Sequence, residues 1–125
     1  QKKLGNRLTI LRMAGLAGGS RNPARFLAGK ENLENGKAAV NLVHLEDCIR
    51  FILAVISQNS FGEIFNVCAS EHPTREEFYT WACIQQNLAP PTFLPESKFS
   101  KTISNKKGKE VLNFTYKFDS PFEFI

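Results

Sequence analysis

Short apolar runs alternating with helix-patterned segments predict an α/β fold with parallel strand pairing. Three runs read as strands: LTILRM (8–13), AAVNLVH (38–44) and GEIFNVCA (62–69). Helical patterns follow the second and the third, and a parallel pair needs such a crossover because a tight hairpin joins only antiparallel strands. The strand count is low for a freestanding doubly wound domain, so the chain reads as half of something.

Taken in order, the strand 8–13 ends at Ala14-Gly15, and AGLAGGSRNP (14–23), with its three glycines, reads as a loop. Pro23 suits the first turn of a short helix, PARFLAGK, closing near Gly29. ENLENGK (31–37) is turn-rich, with Asn35-Gly36 as a tight turn. After the strand 38–44, Ile49, Ile52, Leu53 and Ile56 fall at the spacing of one helical face. Phe51 and Val55 make the other side apolar too, which predicts a deeply buried helix. HPTREEFYTWACIQQN (72–87) opens with a capping box, Thr74 and Glu77, and Pro73 can staple onto Phe78. Phe78, Trp81, Ala82 and Gln85 share a face. LAPPTFLPESK (88–98) is a Pro-rich connection, SNKKGKEVLN (104–113) a helix despite Gly108, and the chain closes on an apolar tail. No internal repeat or low-complexity block interrupts this order.

The chain has 125 residues, 42% of them hydrophobic and 11 of them Phe, which fits one folded domain over residues 1–125. No apolar run approaches the ~20 residues of a membrane span, and no signal peptide opens the chain. The first residue is Gln1 and the only methionine is Met13, which points to a processed product or a fragment of something longer. Cys48, Cys68 and Cys83 are odd in number, form no CxxC pair and sit among apolar neighbours, as buried reduced thiols of a cytoplasmic protein do. His44 and His72, the two histidines, form no ligand pair, so no metal site is expected.

Net charge is +4, and its distribution says more than its size. Residues 1–30 carry seven bases (Lys2, Lys3, Arg7, Arg12, Arg21, Arg25, Lys30) and no acid. Such a segment would meet an anion, or be a solvated face. Nucleic-acid binding needs aromatics interleaved with the bases, and Phe26 is the only aromatic there, so neither nucleic acid nor membrane is expected as a partner.

NLVHLEDCIRFILA (41–54) gathers His44, Glu46, Asp47 and Cys48, which suggests either a catalytic cluster or a helix start. Carboxylates in a first turn interact favourably with the dipole by ~0.3–1 kcal/mol, which suffices for Glu46 and Asp47. A Cys–His pair needs mutual reach and access, and four positions across a strand-to-helix junction rarely give both. The helix start is the stronger reading. The small residues at 14–19, with Arg21 and Arg25 just beyond, form either a ligand loop or a plain Gly-rich turn, since neither a P-loop nor a GxGxxG motif is present.

Three segments in order carry a resemblance. LTILRMAGLAGGSRNP resembles the L-R-x-x-x-x-Y-G-P-G strand and loop of the extended short-chain dehydrogenase/reductases, the NAD-dependent epimerase/dehydratase family. VNLVHLEDCIRFILAVI is similar to that family's V-H-V-x-D strand and helix, and GEIFNVCASEHPTREEFYTWA to its G-E-x-Y-N-V strand and following helix. SNKKGKEVLNF looks like its late helix.

This resemblance implies the C-terminal, substrate-binding part of a Rossmann-like fold, with 8–13 as a last strand of the Rossmann sheet and the N-terminal dinucleotide-binding half lacking. The family's G-x-x-G-x-x-G turn and Y-x-x-x-K pair are not here. Tyr79 is followed at +4 by Cys83 and Tyr116 by Ser120, so no catalytic residue is expected in this chain. The resemblance places Met13, Ala14, Gly15 and Leu16 beside the nicotinamide, and Gly18, Arg21, Phe26 and Asn41 in the substrate pocket. Ala17 and Gly19 stand where the family has the Tyr and Pro of its YGP loop. Val40 stands where nucleotide-sugar members tend to have a phosphate-gripping arginine. Their late R-P-G-D is replaced by a stretch with Lys98 and Lys101.

The implied function is the substrate-binding portion of an NAD(P)-dependent oxidoreductase acting on a small molecule. NAD or NADP would serve the intact parent and would not bind tightly to this chain alone. The expected partner is the missing Rossmann half, or a second copy. The alternative is a non-catalytic interaction domain derived from the same family.

Overall fold

The computed structural model describes residues 8–18 and 20–125. Residues 10–17 run as two short strands in succession, β1 (Ile10–Met13) and β2 (Gly15–Ala17), which pair with different partners. β1 lies parallel to β4 (Ile64–Val67), with Ile10 opposite Ile64 and Met13 opposite Val67. β2 lies parallel to β3 (Leu42–His44), with Gly15 opposite Leu42 and Ala17 opposite His44. The change of partner falls between two residues. Ala14 N–H still donates to the Val67 carbonyl (3.0 Å), whereas Gly15 N–H donates to that of Asn41 (3.1 Å). Ala69 N–H, donating to the Leu42 carbonyl (2.9 Å), ties the two partners to each other. The segment expected to be a loop from 14 therefore begins as a strand. A Gly-rich run carries no periodicity to show this, and the pairing comes from β3, distant in sequence.

Side chains alternate across β3, so Leu42 and Val43 enter different cores. Leu42 joins Ala17, Val40, Ala69, Phe78, Ala82 and Phe124. Val43 joins Phe51, Val55, Phe65, Val67, Leu112 and Phe114. The first core is roofed by α3 (Arg75–Gln85) and the second by α2 (Leu45–Ser57) and α4 (Lys106–Val111). A short α1 (Ala24–Leu27) leans on α3.

The strand-to-helix junction is a helix start, as expected. His44 is the N-cap of α2, its Nδ1 accepting from Glu46 N–H (3.0 Å), with Glu46 and Asp47 in the first turn. The Thr74 half of the expected capping box of α3 also forms. Thr74 Oγ1 accepts from Glu77 N–H (3.1 Å) and donates to the Glu77 carboxylate (3.0 Å).

The expectation of a deeply buried α2 is corrected. Ile49, Ile52, Leu53 and Ile56 are exposed, the last two at 58% each, while Asp47, Cys48, Phe51 and Val55 are buried. Residues 48, 51 and 55 keep helical spacing as well, so a helix apolar on both sides leaves its orientation to tertiary packing. Two contacts decide it. Gly108 of α4 leaves room for the Phe51 ring, and Asp47 turns inward to the tail.

The helix ends share a device. Asn59, Asn87 and Asn113, just beyond α2, α3 and α4, all have φ between 51° and 57°. Asparagine tolerates this left-handed conformation better than other side chains, and here it takes the place that glycine usually holds after a helix.

Two substitutions probe this packing. Gly108→Ala would gain up to ~1 kcal/mol in an open helix. Here the new Cβ would lie 2.6 Å from Phe51 Cε2. A net loss of about 1–3 kcal/mol is expected in urea unfolding, and a gain would refute the packing of α4 on α2. Asp47→Asn places an amide N–H₂ against backbone donors and should cost about 2–4 kcal/mol, with earlier proteolysis of the 114–125 tail.

Candidate functional site

In parallel α/β sheets, ligands sit beyond the carboxyl ends of the strands, where neighbouring strands diverge. The change of partner at Ala14–Gly15 is such a place, and the sequence-derived candidates surround it. Met13, Ala14 and Leu16 are half-buried against the core of Val43, Phe51 and Phe65. Gly15 is exposed, and a Cβ there would lie 2.9 Å from Leu42 Cδ2 and 3.3 Å from the Asn41 carbonyl. The absence of a side chain lets β2 approach β3 and leaves bare backbone facing outward.

Gly18 is needed for a different reason. Its φ is +101°, and a Cβ would come within 2.5 Å of His44 Nε2. Gly18 and Arg21 exchange two backbone hydrogen bonds of 3.0 Å, closing a tight turn, and Arg21 Nε reaches back to the Leu16 carbonyl (3.4 Å). Gly18 and Arg21 share a cleft of about 100 Å³ with Asn22, Pro23, Gln86 and Phe124. That admits a small polar group and no more, since a complete ligand pocket is roughly 300–1,000 Å³. Phe26 stands exposed on α1, outside this cleft.

Asn41 joins two parts. Its carbonyl takes the Gly15 N–H, while its side chain is engaged at both ends, donating to the Lys101 carbonyl (2.6 Å) and accepting from Ile103 N–H (2.8 Å). The structure thus brings Gly15 to Asn41 and Gly18 to Arg21 but leaves Phe26 apart. Sequence reasoning missed Gln86 and Phe124, because nothing local marks a residue that arrives from over 60 positions away.

Arg12, Arg21, Arg25 and Lys30 are exposed, and none pairs with a described carboxylate. Lys2, Lys3, Arg7 and Gly19 lie outside the described residues. Among the described residues no buried side-chain nitrogen or oxygen lacks a partner, no group of His, Cys, Asp and Glu could hold a metal, and no helix is long and apolar enough to cross a membrane. Around Gly15, then, half-buried Met13, Ala14 and Leu16 flank a stretch of exposed backbone.

Both tyrosines are shifted upward by burial. Burial drives the Tyr116 phenol well above its ordinary range, outweighing the Cys68 N–H that donates to its oxygen (3.2 Å). Tyr79 is raised by burial too. Burial also pushes the Cys48 and Cys68 thiols up to about 11, the Asp47 carboxylate adding to the effect at Cys48. A nucleophilic cysteine needs the opposite shift.

No protein-family profile matches the chain. It is 40% identical over 119 residues to Protein YeeZ of Escherichia coli K12, across 94% of this chain but 43% of that protein. The chain thus spans less than half the length of the curated relatives it matches. Solved structures share the fold. A conserved protein of unknown function from Silicibacter pomeroyi superposes with a TM-score of 0.74 at 22% identity, over 94% of this chain and 47% of that one. UDP-N-acetylglucosamine 4-epimerase from Bacillus cereus gives 0.71 at 20% identity, over 98% and 47%. dTDP-glucose 4,6-dehydratase from Bacillus anthracis, in complex with NAD, gives 0.70 at 16%, over 93% and 42%. The expected α/β fold is therefore shown, as part of the Rossmann-like fold that such epimerases and dehydratases adopt.

The thiols yield a pH-dependent outcome. They ordinarily titrate near 9 and are held protonated in the fold up to about 11, so between these values the unfolded chain releases protons that the folded chain keeps. Their contribution to stability is full below pH 9 and falls as pH rises through that window. Ellman's reagent at pH 8 should find no fast thiol until denaturant is added. One rapidly reacting cysteine in the native protein would contradict the burial described.

Proposed function

We propose that this chain is the substrate-binding portion of an NAD(P)-dependent epimerase/dehydratase-like oxidoreductase. The observation that carries the reading is a fold shared with 42–47% of epimerase and dehydratase chains, one of them bound to NAD. The uncovered surfaces support it. Among the described residues β1 pairs with β4 alone, and Ile49, Ile52, Leu53 and Ile56 present an apolar face to solvent. A nucleotide-binding half that extended the sheet beyond β1 would cover both.

In this reading the nicotinamide group, held by the other half, supplies hydride transfer, and a tyrosine there acts as general acid/base. Met13, Ala14, Gly15 and Leu16 wall the ring and exclude water, with Gly15 permitting close approach of the backbone. Gly18 and Arg21, the cation of their cleft, face a small-molecule substrate, whereas Phe26 on α1 and Asn41 beside Gly15 would meet only a substrate that reaches beyond that cleft. Position 40 offers no charge to a diphosphate, since it is Val40, an aliphatic side chain buried in the core. The substrate need not be a nucleotide sugar. The three unpaired, buried cysteines support a cytoplasmic setting. A second reading, a non-catalytic interaction domain, draws on the same exposed α2 face.

The test is to mix the chain with a separately produced N-terminal portion of the curated relative. Sedimentation should show a complex, and an Ile52→Lys/Ile56→Lys variant should abolish it while keeping the melting temperature of the chain. NAD⁺ or NADP⁺ should stabilise the complex and leave the chain alone unshifted. Association without any nucleotide effect would favour the interaction domain. Stabilisation of the isolated chain by either nucleotide would overturn the division of labour.

A further inference from the structure

Residues 95–104 cross the surface with no helix or strand. The strap is anchored at both ends. Leu94 N–H donates to the Leu33 carbonyl (2.8 Å), and the buried Asn105 donates to the Cys68 carbonyl (2.7 Å). Between these points no backbone–backbone hydrogen bond fastens it among the described residues. Four side chains do so instead. Ser97 Oγ accepts from Lys37 N–H (2.9 Å) and Ser100 Oγ from Ala39 N–H (3.0 Å). From the opposite side, Asn35 Oδ1 accepts from Lys98 and Phe99 N–H (2.9 and 3.2 Å), and the Asn41 amide takes the Lys101 carbonyl and Ile103 N–H.

Apolar burial contributes little to this contact. Residues 95–102 are all exposed, Phe99 at 64%, and Ile103 alone is half-buried. Hydrogen bonds open to water exchange one partner for another at small net cost, so such a segment opens far more readily than the core. Asn41 gives that opening a consequence. Each end of its amide is engaged by the strap, so it can turn its full hydrogen-bonding face to another molecule only when the strap lets go. Release frees the N–H groups of Lys37 and Ala39 at the same moment, the nearer of them two residues before Asn41, whose carbonyl takes the Gly15 N–H.

We propose that residues 95–104 are a lid, latched by Asn35 and Asn41, that opens as one unit and hands the Asn41 amide to the substrate site. That a substrate receives it rests on the reading above, whereas the opening is a property of this chain alone.

Hydrogen exchange of the whole protein tests the opening. Lys98, Phe99 and Ile103 amides should exchange at a common rate, much faster than those of β3 and β4. Asn41→Ala removes the Ile103 acceptor and the donor to the Lys101 carbonyl but no acceptor of Lys98 or Phe99, yet all three should accelerate by about tenfold with β3 and β4 unchanged. A Ser97→Ala/Ser100→Ala variant leaves every acceptor of the three in place and should accelerate them equally. Acceleration of Ile103 alone in the first variant and of none in the second would overturn the lid. So would wild-type strap amides as slow as those of Val43 and Val67. Failure to find any nucleotide or substrate would sink the functional reading and leave these rates as they are.

Discussion

Asp47 lies on the inner side of the first turn of α2, wholly buried, and its two oxygens accept from Lys117 N–H (3.0 Å) and Phe118 N–H (2.9 Å). Arg50 completes the set, bonding Asp47 at 2.6 Å and the Thr115 carbonyl at 2.9 Å while its guanidinium lies over the Phe114 ring. A buried carboxylate stripped of such partners costs several kcal/mol, so the helix can dock this way only if the tail closes on it. Closing brings the Phe118 ring flat on His44, centroids 3.8 Å apart, and Phe124 into the core beside Ala17. The same imidazole that caps α2 fills the space against Gly18. The helix start, the Gly18 turn and the tail are therefore one joint, and the walls of the Gly18 cleft follow from it.

The candidate site is built by a second constraint, the change of strand partner after Ala14. A backbone that leaves β4 for β3 must satisfy its N–H groups on both sides, and it does so through Val67 and Asn41 in consecutive residues. Glycine at 15 is what allows the approach. The result is an edge of exposed backbone beside an asparagine whose side chain holds the strap of residues 95–104.

α2 unites structure and proposed partnership. Its inner side, Cys48, Phe51 and Val55, is consumed by the core, and its outer side holds four large aliphatic residues in water. Isolated exposed apolar residues are ordinary, whereas a contiguous helical face of them marks a contact surface.

The sequence by itself determined the fold class, the order of strands and helices, and the helix start at His44, Glu46 and Asp47. Those rest on local physics: apolar period, capping chemistry and the dipole of a first turn, all contained within a few consecutive residues. Of the residues the sequence singled out, Gly15 lies against Asn41 and Gly18 against Arg21. The tertiary structure alone decided which side of α2 is buried, that residues 15–17 form a strand, and that Asn41 is latched to residues some 60 positions away. Each of these turns on a contact distant along the chain. Gly108 against Phe51, β3 against β2 and the tail against Asp47 select among local arrangements that are individually near-equal in free energy, and a local pattern cannot express that choice.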